Sequence, residues 1–264
     1  DDRDGAGFTR GFATKLPIAQ GKPAFLERHA CDFLRRHRSE PFCLYVSFLE
    51  PHEPYFGPLN DEHDPYEDVQ LPGNFKDAPQ GDDRRAWLQK HGAIHGVDLT
   101  TEKGWRTLIA RYWGLVTQVD RSVGRILKTL DDLDLADNTI VVFTSDHGDM
   151  AGSHGRLYKS VPYEESVRVP FLLRVPGMAR RQRVVRGPVS HIDLVPTLLD
   201  LLGAPQRELP GKSLMPVVRQ GGPAREDVIV EKGGFRTPSC WRTIVTPDGW
   251  KLAYYPAGDS QLFN

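Results

Sequence analysis

Apolar residues recur along the chain in patterns that predict helices alternating with strands. Residues 22–38 place apolar side chains at the three- and four-residue spacing of an amphipathic helix, and residues 105–133 repeat that spacing over a longer stretch. Three shorter apolar runs, at 42–49, 139–145 and 169–175, are typical of buried strands. Helices alternating with buried strands indicate an α/β fold with a mainly parallel sheet flanked by helices.

The end of the chain has a different pattern. Three short segments there predict strands: 228–231, 242–246 and 251–255. Pro247-Asp248-Gly249 is a turn signal between the last two, so we expect a small antiparallel piece. We therefore divide the chain into 1–225, which belongs to the α/β domain, and 226–264, a small antiparallel subdomain.

Composition and charge exclude several classes of protein. The 264 residues contain 34 Lys plus Arg and 35 Asp plus Glu, without the basic excess of a nucleic-acid binder. No apolar run approaches the roughly 18 residues of a membrane-spanning helix. Cys31, Cys43 and Cys240 have neither the even number of a disulfide framework nor the spacing of a zinc ribbon. The chain does not start with a signal-peptide pattern.

Two polar segments that directly follow predicted strands carry the candidate chemistry. His52 lies between two prolines after the run 42–49, and Asp146-His147-Gly148 follows the run 139–145. If these strands run parallel, their side chains project from the sheet edge where α/β proteins bind ligands. A carboxylate and an imidazole are suitable ligands for a divalent cation, and a rigidly placed His suits general acid or base catalysis.

The residues alone leave simpler interpretations open. Asp146 would serve equally well as a turn cap, and His147 as a surface residue. His52 would equally be a loop histidine bonded to the backbone, and Lys159 a solvated lysine. Taken singly, these residues define a candidate site and no activity.

Together, the ordered motifs resemble the type I sulfatases of the alkaline-phosphatase-like superfamily. The segments that carry the resemblance are Ser47-Phe48-Leu49-Glu50-Pro51-His52-Glu53-Pro54-Tyr55, residues 139–148 (TIVVFTSDHG), Gly152-Ser153-His154-Gly155, Lys159, residues 165–171 (ESVRVPF), Val175-Pro176-Gly177 and residues 192–199 (IDLVPTLL).

The resemblance implies a role for each candidate residue. Asp146 and His147 look like a pair of metal ligands, usually to calcium, with manganese or zinc as further options. His52 looks like the active-site His near the leaving-group oxygen of the ester, and Lys159 like the Lys that contacts the sulfate oxygens. A cation and an ammonium neutralise the charge on a transferring sulfuryl group, and a His supplies the proton of the leaving alcohol. The implied substrate is a small-molecule or carbohydrate sulfate ester.

One family feature has no counterpart in the sequence. Sulfatases carry a Cys-x-Pro-x-Arg or Ser-x-Pro-x-Arg segment whose first residue becomes the formylglycine nucleophile, and none of Cys31, Cys43 and Cys240 stands in such a segment. We therefore expect the C-terminal part of a sulfatase-like hydrolase, inactive alone, with formylglycine upstream. On this interpretation, 1–225 is the C-terminal part of the catalytic domain.

The alternatives are a phosphonate monoester hydrolase or phosphodiesterase of the same superfamily, and a non-catalytic binding module derived from the fold. Family resemblance makes a periplasmic or secreted location plausible. The sequence leaves the compartment, the oligomeric state and the natural substrate open.

Overall fold

A computed structural model of the chain describes two compact units. The described residues are 3–4, 7–8, 17–55, 68–77, 92–94, 96–178, 184–205, 207–221, 223–224, 226–233, 240–256, 258 and 260–263. The first unit comprises residues 1–158 and 169–177, and the second comprises 159–168 and 178–264.

Two long helices form the helical part of the first unit. Helix α1 spans Lys22–Arg36 and has Pro23 in its first turn, where the missing N–H is tolerated. Helix α2 spans Glu102–Asp132 and confirms the long amphipathic pattern. It begins before the predicted start because the Thr101 hydroxyl accepts a hydrogen bond of 3.1 Å from the N–H of Gly104.

Polar contacts join α1 to α2. The Thr129 hydroxyl donates to Cys31 Sγ at 3.2 Å, and Arg125 donates to both carboxylate oxygens of Glu27. Glu27 keeps only 10% of its side chain exposed, whereas Arg125 keeps 61%, so the pair lies at the rim of the interface. The ion pair of Arg125 with Glu27 connects the two helices but contributes little to the free energy of unfolding, because ion pairs that are partly exposed to solvent are weak.

The described strands of the first unit are short and pair antiparallel. They are β1 (Arg3–Asp4) with β2 (Gly7–Phe8), β3 (Ala93–Ile94) with β4 (Val97–Asp98), and β5 (Val141–Thr144) with β6 (Phe171–Arg174). Strands β5 and β6 confirm two of the three predicted runs. The hairpin of β3 and β4 lies in the polar region between residues 50 and 104.

The predicted strand at 42–49 is wrong, and the strand pairs that the structure describes in this unit are antiparallel. Residues 41–49 are neither helix nor strand, and their exposure alternates, with Cys43, Tyr45, Ser47 and Leu49 exposed. Among the described residues, the backbone of 42–48 makes no hydrogen bond to other backbone groups. An apolar sequence favours extended backbone, but a strand exists only where a neighbour pairs with it.

A core of aromatic and aliphatic side chains lies between α2, the β3–β4 hairpin and the segments that carry the candidate site. Its buried members are Tyr55, Phe75, Val97, Leu99, Trp105, Leu108, Leu115 and Leu157. The Trp105 indole N–H donates to the carbonyl oxygen of Leu99 at 2.8 Å, which satisfies the one polar atom of the ring inside this core.

The second unit contains three helices among its described residues and one antiparallel sheet. The helices are α3 (Glu164–Val167), α4 (Leu194–Leu201) and α5 (Met215–Gln220). The strands are β7 (Val228–Lys232), β8 (Trp241–Val245), β9 (Lys251–Tyr254) and β10 (Gln261–Phe263), in the order β10-β9-β8-β7. The predicted antiparallel piece is confirmed, while the division at 225 and 226 stays a prediction.

The helices that the structure describes include none with the length and apolar content needed to cross a membrane. Helix α2 is long enough, but charged residues recur along it.

Candidate functional site

His52 is exposed on a tight turn that follows the extended segment 41–49. Its backbone N–H donates to the carbonyl oxygen of Leu49 at 3.0 Å, and the peptide bonds before Pro51 and Pro54 are cis. Its ring Nδ1 lies 2.9 Å from the carbonyl oxygen of Glu53. Because a carbonyl oxygen only accepts, Nδ1 carries the proton, and Nε2 is the basic nitrogen of the neutral ring.

Asp146 and His147 follow β5 directly, and their side chains lie close together. His147 Nε2 is 3.5 Å from Asp146 Oδ2, and His147 Nδ1 is 2.8 Å from the carbonyl oxygen of Gly148. By the same reasoning Nδ1 is a donor, and Nε2 is the ring nitrogen that faces the Asp146 carboxylate. Metal-binding histidines commonly donate their second N–H to a backbone carbonyl in this way.

The Asp146 carboxylate is held in its ionised form. Desolvation would raise its pKa, but the N–H of His147, which donates to Oδ1 at 2.9 Å, and the neighbouring imidazole outweigh it and leave the pKa below the usual range. The Ser145 hydroxyl also donates to Oδ1, at 3.3 Å. The side chain of Asp146 is 83% exposed, so an ion can reach it from solvent.

The chemistry of this pair fits a divalent cation but does not complete a site. One carboxylate oxygen and one imidazole nitrogen are close enough to bind the same ion. Calcium, however, takes 6–8 oxygen ligands. Across the described ranges no group of three or more His, Cys, Asp and Glu side chains is arranged to hold a metal ion. Further ligands would have to come from elsewhere.

Lys159 is the first residue of the second unit, whereas His52, Asp146 and His147 belong to the first. It is half-buried and lies beside Ser160, a residue with positive φ. The carbonyl oxygen of Ser160 accepts hydrogen bonds from Trp241 Nε1 at 3.1 Å and from Lys232 Nζ at 3.3 Å. These bonds fix the backbone next to Lys159 within the second unit.

The structure brings the two predicted segments together through residues to which the sequence gave no role. The Tyr55 hydroxyl donates to Asp149 Oδ2 at 2.9 Å. Tyr55 lies three positions after His52, and Asp149 lies two positions after His147. The roles of His52, Asp146, His147 and Lys159 stay predictions, but the segments that carry the first three are in contact.

A second contact fixes the loop that follows Asp149. His154 has positive φ, its N–H donates to the carbonyl oxygen of Asn74 at 3.1 Å, and its ring contacts the Asn74 amide and the carbonyl oxygen of Asp77. Residues 74–77 therefore hold the backbone and the ring of His154 through these polar contacts.

A groove of about 410 Å³ between α1 and α2 lies away from these segments. It is lined by Glu27, Arg28, Cys31, Asp32, Arg35, Arg125, Lys128, Thr129 and Asp132. None of the predicted site residues lines it. Its charges are largely engaged with each other, as in the pairs Arg35–Asp32 and Lys128–Asp132.

Comparisons with known proteins agree with the fold and the motifs. The Sulfatase family model matches residues 22–204. The chain is 33% identical over 246 residues to an arylsulfatase of Clostridium perfringens, covering 88% of this chain and 49% of that protein. It is 32% identical over 256 residues to a choline-sulfatase of Rhizobium meliloti, covering 94% and 48%. The solved phosphonate monoester hydrolase of Silicibacter pomeroyi matches with a TM-score of 0.79 at 25% identity, covering 100% of this chain and 57% of that chain.

The fold is thus an α/β fold of the alkaline-phosphatase-like class. Within that class, the chain belongs to the sulfatase family. It spans about half the length of the curated relatives it matches.

Proposed function

We propose that the chain supplies the leaving-group side of the active site of a sulfuric ester hydrolase. The observation that carries the proposal is the pair formed by Asp146 and His147, whose donor atoms lie 3.5 Å apart with Nδ1 of the His bonded to a carbonyl oxygen. This arrangement supports binding of a divalent cation, for which calcium is the first candidate and manganese or zinc the others. Such a cation would neutralise charge on the sulfuryl oxygens.

His52 would act as the proton donor to the leaving alcohol. Its Nδ1–H is bonded to the carbonyl oxygen of Glu53, so Nε2 is the atom that carries and releases the transferred proton. As the S–O bond to the alcohol breaks, its electron pair goes to the alcohol oxygen, which takes that proton. Lys159 would contact the sulfate oxygens and stabilise their charge through its ammonium group.

The nucleophile is not assigned to any residue of this chain. Cys31 and Cys240 are buried, and none of the three cysteines stands in the family's Cys-x-Pro-x-Arg segment. A formylglycine, if the whole protein uses one, would lie in polypeptide outside these 264 residues. We expect the chain alone to bind a cation without hydrolysing esters.

The first experiment measures cation binding by the 264-residue chain. Calcium, manganese and zinc are titrated calorimetrically into the wild type, Asp146→Asn and Asp137→Asn. Asp137 is a matched control because it is an exposed carboxylate away from the pair. Asp146→Asn should weaken binding at least ~10-fold, since losses of that size follow even indirect damage to metal sites. Equal affinities in all three proteins would contradict the metal assignment.

The second experiment separates the candidate reactions. The natural gene product that carries these residues is assayed with an aryl sulfate, an aryl phosphonate monoester and a phosphate diester. Sulfate hydrolysis that is lost in His52→Gln supports the proposal. A preference for the phosphonate monoester favours the second candidate function, that of a phosphonate monoester hydrolase. The likeness to the phosphonate monoester hydrolase of Silicibacter pomeroyi supports this candidate. A folded protein that binds cations but hydrolyses none of the three favours a non-catalytic binding module.

A further inference from the structure

Tyr55 buries its ring in the core while its hydroxyl contacts the candidate site. Only 1% of the residue is exposed, and its ring packs edge-on against Tyr112 with centroids 5.7 Å apart. The hydroxyl donates to Asp149 Oδ2 at 2.9 Å, across 94 positions of sequence. A buried phenol is therefore directed at one particular carboxylate.

Asp149 in turn fixes the backbone of the loop that follows the candidate cation ligands. Its Oδ1 accepts hydrogen bonds from the N–H of Ala151 at 2.8 Å and of Tyr158 at 3.2 Å. The N–H of Met150 donates to the carbonyl oxygen of Tyr158 at 2.7 Å, which closes the same loop. The carboxylate thus accepts hydrogen bonds both from its own loop and from the segment of His52.

The phenol is a permanent donor in this contact. Burial, together with the neighbouring Asp149 carboxylate, raises the pKa of Tyr55 far above its ordinary value. Hydrogen bonds to a charged acceptor contribute more to stability than those between neutral groups. The contact is strong enough to restrain two exposed segments that have no strand pairing between them in the described part of the chain.

We infer that Tyr55 and Asp149 are positioning residues, which hold the segment of His52 against the segment of Asp146 and His147. Neither side chain touches substrate in this role. The inference rests on the proposed function for its catalytic meaning, but the geometry itself can be tested without activity. The competing interpretation is that the bond only stabilises the core, in which case its loss would lower stability and leave both histidines where they are.

The test compares Tyr55→Phe with Tyr112→Phe in the 264-residue chain. Both changes remove one hydroxyl from the same core cluster, but among the described hydrogen bonds it is the Tyr55 hydroxyl that donates to Asp149. Imidazole nitrogen signals are recorded by NMR, and the signals of His52 and His147 are identified with His→Gln variants of each. Tyr55→Phe should shift or broaden both signals and leave those of His29 and His191 in place, whereas Tyr112→Phe should move none of the four.

Unmoved signals of His52 and His147 in a folded Tyr55→Phe variant would overturn the inference, and so would a shift confined to one of them. If Tyr55→Phe does not fold, Asp149→Asn replaces it, because the amide keeps the size and removes the charge of the acceptor. Asp149→Asn should shift or broaden the signals of both His52 and His147, and unmoved signals or a shift confined to one of them would overturn the inference.

A kinetic experiment on the natural gene product tests whether the Tyr55–Asp149 contact also affects catalysis. A misplaced proton donor acts on the transition state, so Tyr55→Phe should lower kcat about 10–100-fold and change KM little. Unchanged kcat in an active enzyme would contradict positioning while leaving the proposed function intact. An inactive wild type would contradict the proposed function, while the NMR result would still decide the positioning.

Discussion

Gly104 lies in the first turn of α2, where the backbone of β4 passes so close that no side chain fits. A Cβ built on Gly104 would lie 1.7 Å from the carbonyl oxygen of Asp98 and 2.6 Å from its carbonyl carbon. Carbon contacts in proteins are about 3.5–4.0 Å long. Gly104→Ala therefore forces the β3–β4 hairpin away from α2, since the obstructing atoms belong to the backbone.

The expected change in the free energy of unfolding of Gly104→Ala is the sum of opposing contributions. Alanine gains up to about 1 kcal/mol of helix propensity over glycine. Overpacking of this kind costs about 1–3 kcal/mol. The displacement also strains the bond from the Trp105 indole to the carbonyl oxygen of Leu99, 2.8 Å long, and such bonds contribute about 1 kcal/mol. We expect Gly104→Ala to lower the free energy of unfolding by about 1–3 kcal/mol.

Gly124 provides a control within the same helix. It is exposed, and a Cβ built there meets nothing within 4 Å. Gly124→Ala should therefore raise the free energy of unfolding by about 0.5–1 kcal/mol. Urea unfolding followed by tryptophan fluorescence gives the midpoint of each variant, and the two midpoints should move in opposite directions. A Gly104→Ala variant as stable as the wild type would refute the steric argument.

Two further predictions concern the same helix and core. Thr101→Ala removes the cap of α2 and should cost about 1 kcal/mol in urea unfolding; a cost near zero would mean that the hydroxyl bond to Gly104 is not stabilising. Burial raises the pKa of Tyr112 to about 12 and that of Tyr55 further. Since the folded chain keeps these protons longer than the unfolded chain, stability should fall as the pH rises from about 10 towards 12. Phenolate absorbance should show Tyr55 and Tyr112 ionising late, and simultaneous ionisation of all eight tyrosines in the native chain would contradict this.

The helices were predictable because their signals are local. The apolar stripe of α2 repeats along the helix, and the residues that end the helix directly follow the stripe in sequence. Only its first turn was missed, since Thr101 and Glu102 lie outside the stripe and act through a backbone N–H.

Strand pairing was less predictable because it depends on distant residues. The run 42–49 has the composition of a buried strand, yet it has no strand neighbour in the described structure, and alternate side chains along it are exposed. Strands β5 and β6 were correctly placed, but the sequence carried no sign that they pair with each other antiparallel, with Val142 opposite Leu173. Direction and register are properties of the pair and not of either segment.

The contact between Tyr55 and Asp149 shows the same limit at the candidate site. Tyr55 ends one of the motifs that carry the family resemblance, and Asp149 directly follows another. Nothing in the local pattern connects positions 94 apart. The available signal was indirect: an aromatic residue in a polar loop is a candidate for burial, and a buried phenol requires a hydrogen-bond partner.

The convergence of His52 with Asp146 and His147 was expected from two parallel strands and stays a prediction. The contact that the described structure shows between their two segments is that of Tyr55 with Asp149. A shared sheet would fix both segments through many backbone bonds, whereas here one phenol and one carboxylate join them above a packed core. The restraint between the two segments is consequently concentrated in the hydroxyl of Tyr55 and the carboxylate of Asp149. Asp146 itself is 83% exposed, so its charge remains hydrated and folding does not require a cation to compensate it. We therefore expect folding of the first unit not to require a bound ion. An ion that binds the folded state would add stability that grows with the logarithm of its concentration once this exceeds Kd.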